Sequence, residues 1–178
     1  CCQESDGGQA ILVTSLERAR DLPHPPAVIT SAAQGSTDDQ QAMRSYYRDD
    51  IARIPEMKLC ADQLWENTGL KPSDIQVANI YDHFTPLFLP QLEELGFCGK
   101  GEAKEFIRDG NIDMGGSLPT NTNGGQLGEA YIHGMNGIAE AVRQIRGTSV
   151  NQVEDVENAL VTAGTSVPTS ALILSQDR

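Results

Sequence analysis

Two patterns of hydrophobic residues occur along this chain: short apolar runs, which predict strands, and apolar residues at three-to-four spacing, which predict helices. Short apolar runs rich in β-prone residues predict strands at 9–15, 25–34, 74–82, 156–164 and 169–176. Between Ile51 and Trp65 the apolar residues recur at three-to-four spacing, which predicts an amphipathic helix. Gly69 is its expected C-cap, and Pro72 prevents its continuation.

Further helices are predicted after the third strand. Residues 85–97 have a helical pattern in which Pro86 fits the first turn and Pro90 predicts a kink. Residues 101–110 predict a short helix, and 137–146 predict an amphipathic helix with one apolar face.

Two long segments lack a clear period. Residues 35–50 are polar and acidic, which predicts a loop with some helix. Residues 111–130 are rich in glycine and predict a loop with a short strand at its start. The order of elements predicts an α/β fold with a mixed sheet covered by helices, and the two adjacent final strands predict an antiparallel edge on a partly parallel sheet.

Composition and charge exclude some classes of function. The 178 residues suffice for one domain with a core, and the net charge of -12 argues against binding nucleic acid by neutralising phosphates. No apolar run approaches the roughly 18 residues of a membrane span. The sequence shows no signal peptide, and its beginning, CCQESDGGQA, is typical of the middle of a protein. We therefore expect a cytoplasmic protein.

The cysteines and histidines do not predict a metal site. Cys1, Cys2, Cys60 and Cys98 form no CxxC pair, and the three histidines are scattered along the chain. Reduced thiols in a cytoplasm are the simpler interpretation.

Three stretches carry candidate chemistry. At the end of the third predicted strand, NIYDHFTP (79–86) places Tyr81, Asp82 and His83 where α/β sheets gather ligands. GGSLPTNTNGGQLG (115–128) has glycine pairs that permit close backbone approach, and asparagines that could donate to an oxyanion. In GEAYIHGMNG (128–137) a phenol could act as acid or base if a neighbour lowered its pKa.

Each of these stretches also has a purely structural interpretation. Tyr81 would be a core aromatic residue and Asp82 would cap the next helix. Residues 115–128 would be a surface loop, and Tyr131 and His133 would be packing residues. The residues alone leave these alternatives open.

Three segments resemble thiolase-fold proteins of the sterol-carrier type. CCQESDGGQA resembles the end of their first half, and residues 70–107 resemble their strand, His-Asp-Cys-Phe and helix segment. Residues 115–147 resemble their glycine- and asparagine-rich loop, Gly-His-Pro motif and following helix. The resemblance covers nearly the whole chain in order. It implies a thiolase-like C-terminal domain at 26–178, preceded at 1–25 by the end of the N-terminal half.

The departures from this pattern are informative. Tyr131 stands where thiolases carry the histidine base, and His133 is not the equivalent of that histidine. Tyr81 occupies the position of the histidine in the His-Asp-Cys-Phe motif of these proteins. AGTSVPTS (163–170) lacks the second thiolase cysteine, and the nucleophilic cysteine belongs to the first half of the fold.

With these departures, the chain resembles the aldolase subgroup of thiolase-like lipid-transfer proteins in bacterial steroid and cholesterol catabolism. The resemblance implies a lyase that cleaves a β-hydroxyacyl-CoA by a retro-aldol reaction, giving a ketosteroid and a short acyl-CoA such as propionyl-CoA. Tyr81 and Tyr131 would be the catalytic acid and base, in an order that the sequence leaves open. The supporting residues would be Asp82, His83 and His133. The residues that hold the enolate oxygen or the substrate would be Asn121, Asn123, Gly124 and Gly125.

The resemblance also implies partners. CoA is part of the substrate, and no further cofactor or metal is expected. We expect a homodimer through the thiolase-type interface, and a partner protein with an OB-fold and a zinc ribbon. Two alternatives remain, an acyl-CoA thiolase or acetyltransferase and a non-catalytic acyl-CoA-binding thiolase-fold subunit.

Overall fold

The computed structural model describes residues 1–38, 48–164 and 169–177, and it folds these into a sheet and flanking helices. The helices are α1 (Leu16–Arg20), α2 (Pro55–Thr68), α3 (Phe88–Leu95), α4 (Ala103–Arg108), α5 (Gly125–Gly128) and α6 (Met135–Arg146). The strands are β1 (Ala27–Gly35), β2 (Val77–Asn79), β3 (Asn158–Ala163) and β4 (Thr169–Gln176). Short 3₁₀ turns occupy Pro72–Asp74 and Thr85–Leu87.

The sheet is mixed, as predicted. Its strand order is β1-β4-β3-β2, in which β4 runs antiparallel to both of its neighbours and β2 runs parallel to β3. An isolated bridge from Ala78 to Thr120 extends the β2 edge into the glycine-rich loop. This bridge brings the loop beside the end of β2.

Helices cover both faces of the sheet. On one face α2 and α3 bury a cluster that includes Met57, Leu64, Leu92 and Ile173. On the other face α6 packs against Val77 and its neighbours on β3 and β4. Because side chains alternate along a strand, the residues of β2 contribute in turn to the two layers. Within the described part of the chain, no helix is long and apolar enough to cross a membrane.

Most of the predicted elements are confirmed with shifted ends. The helix predicted from Ile51 begins at Pro55, and Gly69 ends it in the left-handed conformation with φ 70°. The helix predicted at 85–97 is a 3₁₀ turn followed by α3. Pro90 lies in the first turn of α3, where its missing N–H costs no hydrogen bond, and the kink expected there stays a prediction. Part of the loop predicted at 35–50, namely 39–47, lies outside the described residues.

The strand predicted at 9–15 is wrong. The structure has no regular element there, and Leu12 and Val13 are 81% and 71% exposed. A strand requires a neighbour for its backbone hydrogen bonds, and none of the described strands pairs with this segment. The apolar pattern therefore lacks a pairing strand among the residues that the structure describes.

The junction of β1 with α2 depends on a glycine. A Cβ atom on Gly35 would lie 2.0 Å from the carbonyl oxygen of Glu56, in the first turn of α2. Glu56 is fully buried, and its carboxylate is paired with Arg48 and with the hydroxyl of Thr37. The helix can approach the strand this closely only because position 35 has no side chain.

Candidate active site

The hydroxyl groups of two tyrosines meet at the end of β2. Tyr81 lies two residues after the strand and is 6% exposed, and Tyr131 is half-buried in the loop before α6. Their hydroxyl oxygens are 2.8 Å apart, a hydrogen bond in which either can donate. The structure thus brings together the two residues that the sequence predicted as acid and base.

His133 continues this chain of polar groups towards solvent. Its Nδ1 atom lies 3.2 Å from the hydroxyl of Tyr131, and the two ring centroids are 4.5 Å apart. His133 is exposed and has φ 48°, a left-handed conformation that is uncommon outside glycine and is often found at functional sites. A buried phenol, a half-buried phenol and an exposed imidazole therefore form one hydrogen-bonded row.

The main chain of Tyr81 is held by two buried polar side chains. Its N–H donates to the hydroxyl of Thr162 at 2.9 Å, and its carbonyl accepts from Nε2 of Gln91 at 2.8 Å. The hydroxyl of Thr162 in turn donates to Oε1 of Gln91 at 2.7 Å. Because Gln91 and Thr162 are buried and hydrogen-bonded to each other, they fix the position of Tyr81 through its main chain.

Glycine allows α6 to reach the site. Gly134 caps this helix with φ 87°, and a Cβ atom there would lie 3.3 Å from the ring of Tyr81. Gly137, one turn later, is against the side chain of Asn79. The N-terminus of α6 therefore sits directly on the sheet face that carries Asn79 and Tyr81.

Asp82 links the strand end to α5. Its Oδ1 atom accepts a hydrogen bond from the backbone N–H of Gln126 at 2.6 Å. Burial raises the pKa of the Asp82 carboxyl, and the hydrogen bond from Gln126 works in the opposite direction. The carboxylate thus ties the end of the β2 segment to α5 by a hydrogen bond, and it does not face solvent as a base would.

Gly125 makes this tie possible. Its φ is 65°, and a Cβ atom there would lie 2.2 Å from Oδ2 of Asp82. We expect Gly125→Ala to lower the free energy of unfolding by at least about 1–2 kcal/mol, because alanine is strained in this conformation and displaces the carboxylate. Urea unfolding measures the loss. Gly128→Ala is the matched control, since a Cβ atom there meets nothing within 4 Å. Equal stability of the two variants would contradict the expectation.

The predicted oxyanion donors are engaged with the protein. The side chain of Asn121 accepts from the N–H of Ile80 at 2.8 Å and donates to its carbonyl at 2.9 Å. Asn123 donates to a carboxylate oxygen of Glu129 and accepts from the N–H of Gly125. Their part in holding an enolate oxygen, with that of the exposed Gly124, stays a prediction.

The surroundings keep Tyr81 protonated. Burial raises the pKa of its phenol above the usual range, and the hydrogen bond with Tyr131 adds to this. The ring of His83 lies 4.7 Å from that of Tyr81, and burial lowers the pKa of its imidazole. Tyr81 is therefore present as the neutral phenol, which still carries its proton.

The buried His83 predicts a pH dependence of stability. The unfolded chain protonates this residue near the ordinary pKa of about 6.5, and the folded chain stays neutral to lower pH. The stability that the neutral His83 contributes is therefore fully present above about pH 6.5, and it is lost as the pH falls from there through the lowered pKa of the folded chain. We expect His83→Gln to flatten the decline in urea-unfolding free energy below pH 6.5. His24→Gln, which removes an exposed histidine, is the matched control, and an identical slope in both variants would contradict the assignment.

Several residues of the site have no signal in the sequence. The tyrosine segments are held by Gln91, Thr162, Gln126 and Asn136, yet no helix or strand period predicts these contacts, because each joins two different segments of the fold. Across 1–38, 48–164 and 169–177, no group of three or more His, Cys, Asp or Glu side chains is arranged to bind a metal ion.

Residues 36–176 match the family model described as thiolase C-terminal domain-like. The chain belongs to this family. Its thiolase-like fold is thereby confirmed, and the tyrosine pair lies in a thiolase-type scaffold.

Two curated relatives match nearly all of the chain. It is 72% identical over 100% of its length to a steroid side-chain-cleaving aldolase from Thermomonospora curvata, of which it covers 46%. It is 67% identical over 98% of its length to a 17-hydroxy-3-oxo-4-pregnene-20-carboxyl-CoA lyase from Mycobacterium tuberculosis, of which it covers 45%. The chain thus spans about half the length of these relatives.

Solved structures agree with the family. A structure described as an Ltp2-ChsH2(DUF35) aldolase matches all of this chain at 72% identity with a TM-score of 0.97, and 47% of that chain is covered. A monomeric SCP2-thiolase-like protein from Mycobacterium smegmatis matches 92% of this chain, with a TM-score of 0.62 and 20% identity. The match covers 33% of the Mycobacterium smegmatis protein. The second match bears on the fold alone.

Proposed function

We propose that this chain is the C-terminal half of an aldolase that cleaves a β-hydroxyacyl-CoA in steroid side-chain degradation. The products would be a ketosteroid and a short acyl-CoA such as propionyl-CoA. The observation that carries the proposal is the 2.8 Å contact between the hydroxyls of Tyr81 and Tyr131, whose positions the sequence resemblance matches to thiolase histidines. The names of the 72% and 67% identical relatives support it.

The geometry supports different roles for the two tyrosines, one as base and the other as acid. Tyr131 is half-buried and contacts His133, so it can take a proton and pass its own to the imidazole. Tyr81 is buried, and the raised pKa of its phenol disfavours the phenolate that a base would need, which leaves Tyr81 the role of proton donor. We propose that Tyr131 is the base for the β-hydroxyl and that Tyr81 is the acid for the α-carbon.

The reaction then balances without an oxidant or a covalent thiol. The β-hydroxyl gives its proton to the Tyr131 oxygen, and the proton of Tyr131 moves to Nδ1 of His133. The ketone forms, the Cα–Cβ bond breaks, and its electron pair enters the thioester enolate. Tyr81 protonates the α-carbon and regains a proton from Tyr131 along their hydrogen bond. His133 returns a proton to Tyr131, so the enzyme ends in its starting state.

The enolate oxygen requires donors as well. Asn121, Asn123 and the backbone at Gly124 and Gly125 are the candidates. The side-chain amides are the simpler choice, because each amide carries two N–H donors, whereas the single main-chain N–H groups of Gly124 and Gly125 already donate within the protein. We propose no cofactor beyond the CoA of the substrate.

Assembly belongs to the proposal. Because this chain spans about half of its relatives, the working enzyme needs the first thiolase-type half as well. A DUF35-type partner with an OB-fold and a zinc ribbon is proposed from the structure described as an Ltp2-ChsH2(DUF35) aldolase. We also propose a thiolase-type homodimer and a cytoplasmic location.

Incubation of the assembled enzyme with a tertiary β-hydroxyacyl-CoA tests this function. We expect the release of free ketone and a shorter acyl-CoA, which chromatography and mass spectrometry detect. Condensation of acetyl-CoA in its place would indicate an acetyltransferase. Acyl-CoA binding with neither reaction would indicate a non-catalytic subunit.

A further inference from the structure

A small cavity lies beside Tyr81, at the N-terminus of α6. It offers about 10 Å³ of space to the centre of a water molecule. The walls include Asn79 and Tyr81 from the β2 segment, Gln126 from α5, Gly134 and Gly137 from the start of α6, and Thr162 from β3. Residues of the β2 segment and of the start of α6 thus both line the cavity.

Polar atoms without partners line this cavity. Asn79 is 3% exposed, and among the described residues neither its Nδ2 nor its Oδ1 has a hydrogen-bond partner. Gln126 is 4% exposed, and its Oε1 likewise has none within the described chain. A buried amide that makes no hydrogen bond is costly, so a donor or acceptor is required at this place.

The properties of the cavity select one ligand. A site for a single water needs roughly 10–15 Å³ and two to four polar partners. The cavity reaches this size, and Asn79 and Gln126 together supply one donor and two acceptors. The space is too small for an acyl group, and an amide pair without a carboxylate is a poor site for a cation.

We propose that this cavity binds one ordered water molecule that joins Asn79 to Gln126 and so helps to hold the two catalytic tyrosines together. On one side the water fixes the β2 segment, which carries Tyr81 two residues after Asn79. On the other side it fixes the Gln126 side chain, which continues towards Tyr131.

The continuation is a row of buried amides. Nε2 of Gln126 donates to Oδ1 of Asn136 at 2.8 Å. Nδ2 of Asn136 donates to Oε2 of Glu129 at 3.3 Å and to the carbonyl of Ala130 at 3.4 Å. Ala130 directly precedes Tyr131. The water would thus connect the residue two before one tyrosine with the residue one before the other.

A high-resolution crystal structure of the assembled wild-type enzyme tests the site without any variant. We expect a water peak within about 3.2 Å of both Asn79 and Gln126 Oε1. A direct Asn79–Gln126 hydrogen bond, or a cavity without density, would overturn the proposal. This test does not depend on the proposed function.

Asn79→Leu and Gln126→Leu test the connection in solution. If one water couples the two residues, the double variant loses less unfolding free energy than the sum of the single losses. Additive losses would overturn the coupling.

The kinetic test rests on the proposed retro-aldol function. Asn79→Leu is expected to lower kcat about tenfold with little change in KM, because the tyrosine hydroxyls lose their fixed separation. Asn158→Leu is the matched control, since this asparagine donates to the carbonyl of Asp74 at the opposite end of the sheet. Loss of stability in both variants with unchanged kcat would overturn the positioning part. If wild type has no aldolase activity, the proposed function fails while the crystallographic test still decides the water site.

Discussion

Removing the hydroxyl of Tyr131 or of Tyr81, in Tyr131→Phe or Tyr81→Phe, is expected to lower kcat for retro-aldol cleavage by about 10²- to 10⁴-fold. Each phenylalanine keeps the ring and its packing but cannot take or give the proton. Because the two hydroxyls share one hydrogen bond, the double variant should lose little more than the worse single variant. Steady-state kinetics with a β-hydroxyacyl-CoA, in the assembled enzyme, measures the effect.

A control separates this loss from the general loss of a hydroxyl. Thr30→Val removes an exposed hydroxyl that is 2.7 Å from that of Ser175 on the β1–β4 pair. It should leave kcat unchanged. Wild-type turnover in both tyrosine variants would refute their assignment as acid and base.

Gly35→Ala is expected to have the largest effect on stability, a loss of about 3 kcal/mol in the free energy of unfolding. The new methyl group would lie 2.0 Å from the main-chain oxygen of Glu56, and a backbone atom in the first turn of α2 cannot move aside as a side-chain end can. Separating α2 from β1 would also disturb the buried pair of Glu56 with Arg48. Urea unfolding and the melting temperature report the change.

The control for Gly35 is a glycine without this constraint. A Cβ atom on Gly115 meets nothing within 4 Å, so Gly115→Ala should change stability little. If Gly35→Ala were as stable as Gly115→Ala, the close approach of α2 to β1 would be wrong.

Local patterns predicted most of the fold. Met57, Cys60 and Leu64 are buried on one face of α2, as the three-to-four spacing requires, and Gly69 ends the helix by its own conformational freedom. The strand at 9–15 could not be judged in this way. Strand formation depends on a partner, which the pattern of one segment does not contain.

Local patterns also failed to predict the contacts between distant residues in the candidate active site. The pairing of Tyr81 with Tyr131 followed from a family resemblance, because the residues are 50 positions apart and no local period connects them. The amides of Gln91 and Gln126 were not predicted, since glutamine in a helix is ordinarily a surface residue. Their importance arises only when tertiary packing removes water from around them.

The way in which Tyr81 is held bears on how such an enzyme can change its chemistry in evolution. Thr162 and Gln91 bind only the main chain of residue 81, so its support does not depend on which side chain it carries. A histidine or an asparagine could occupy the same place with the same backbone hydrogen bonds. The scaffold can thus exchange one acid–base group for another in a single substitution, without rebuilding the sheet or the helices around it.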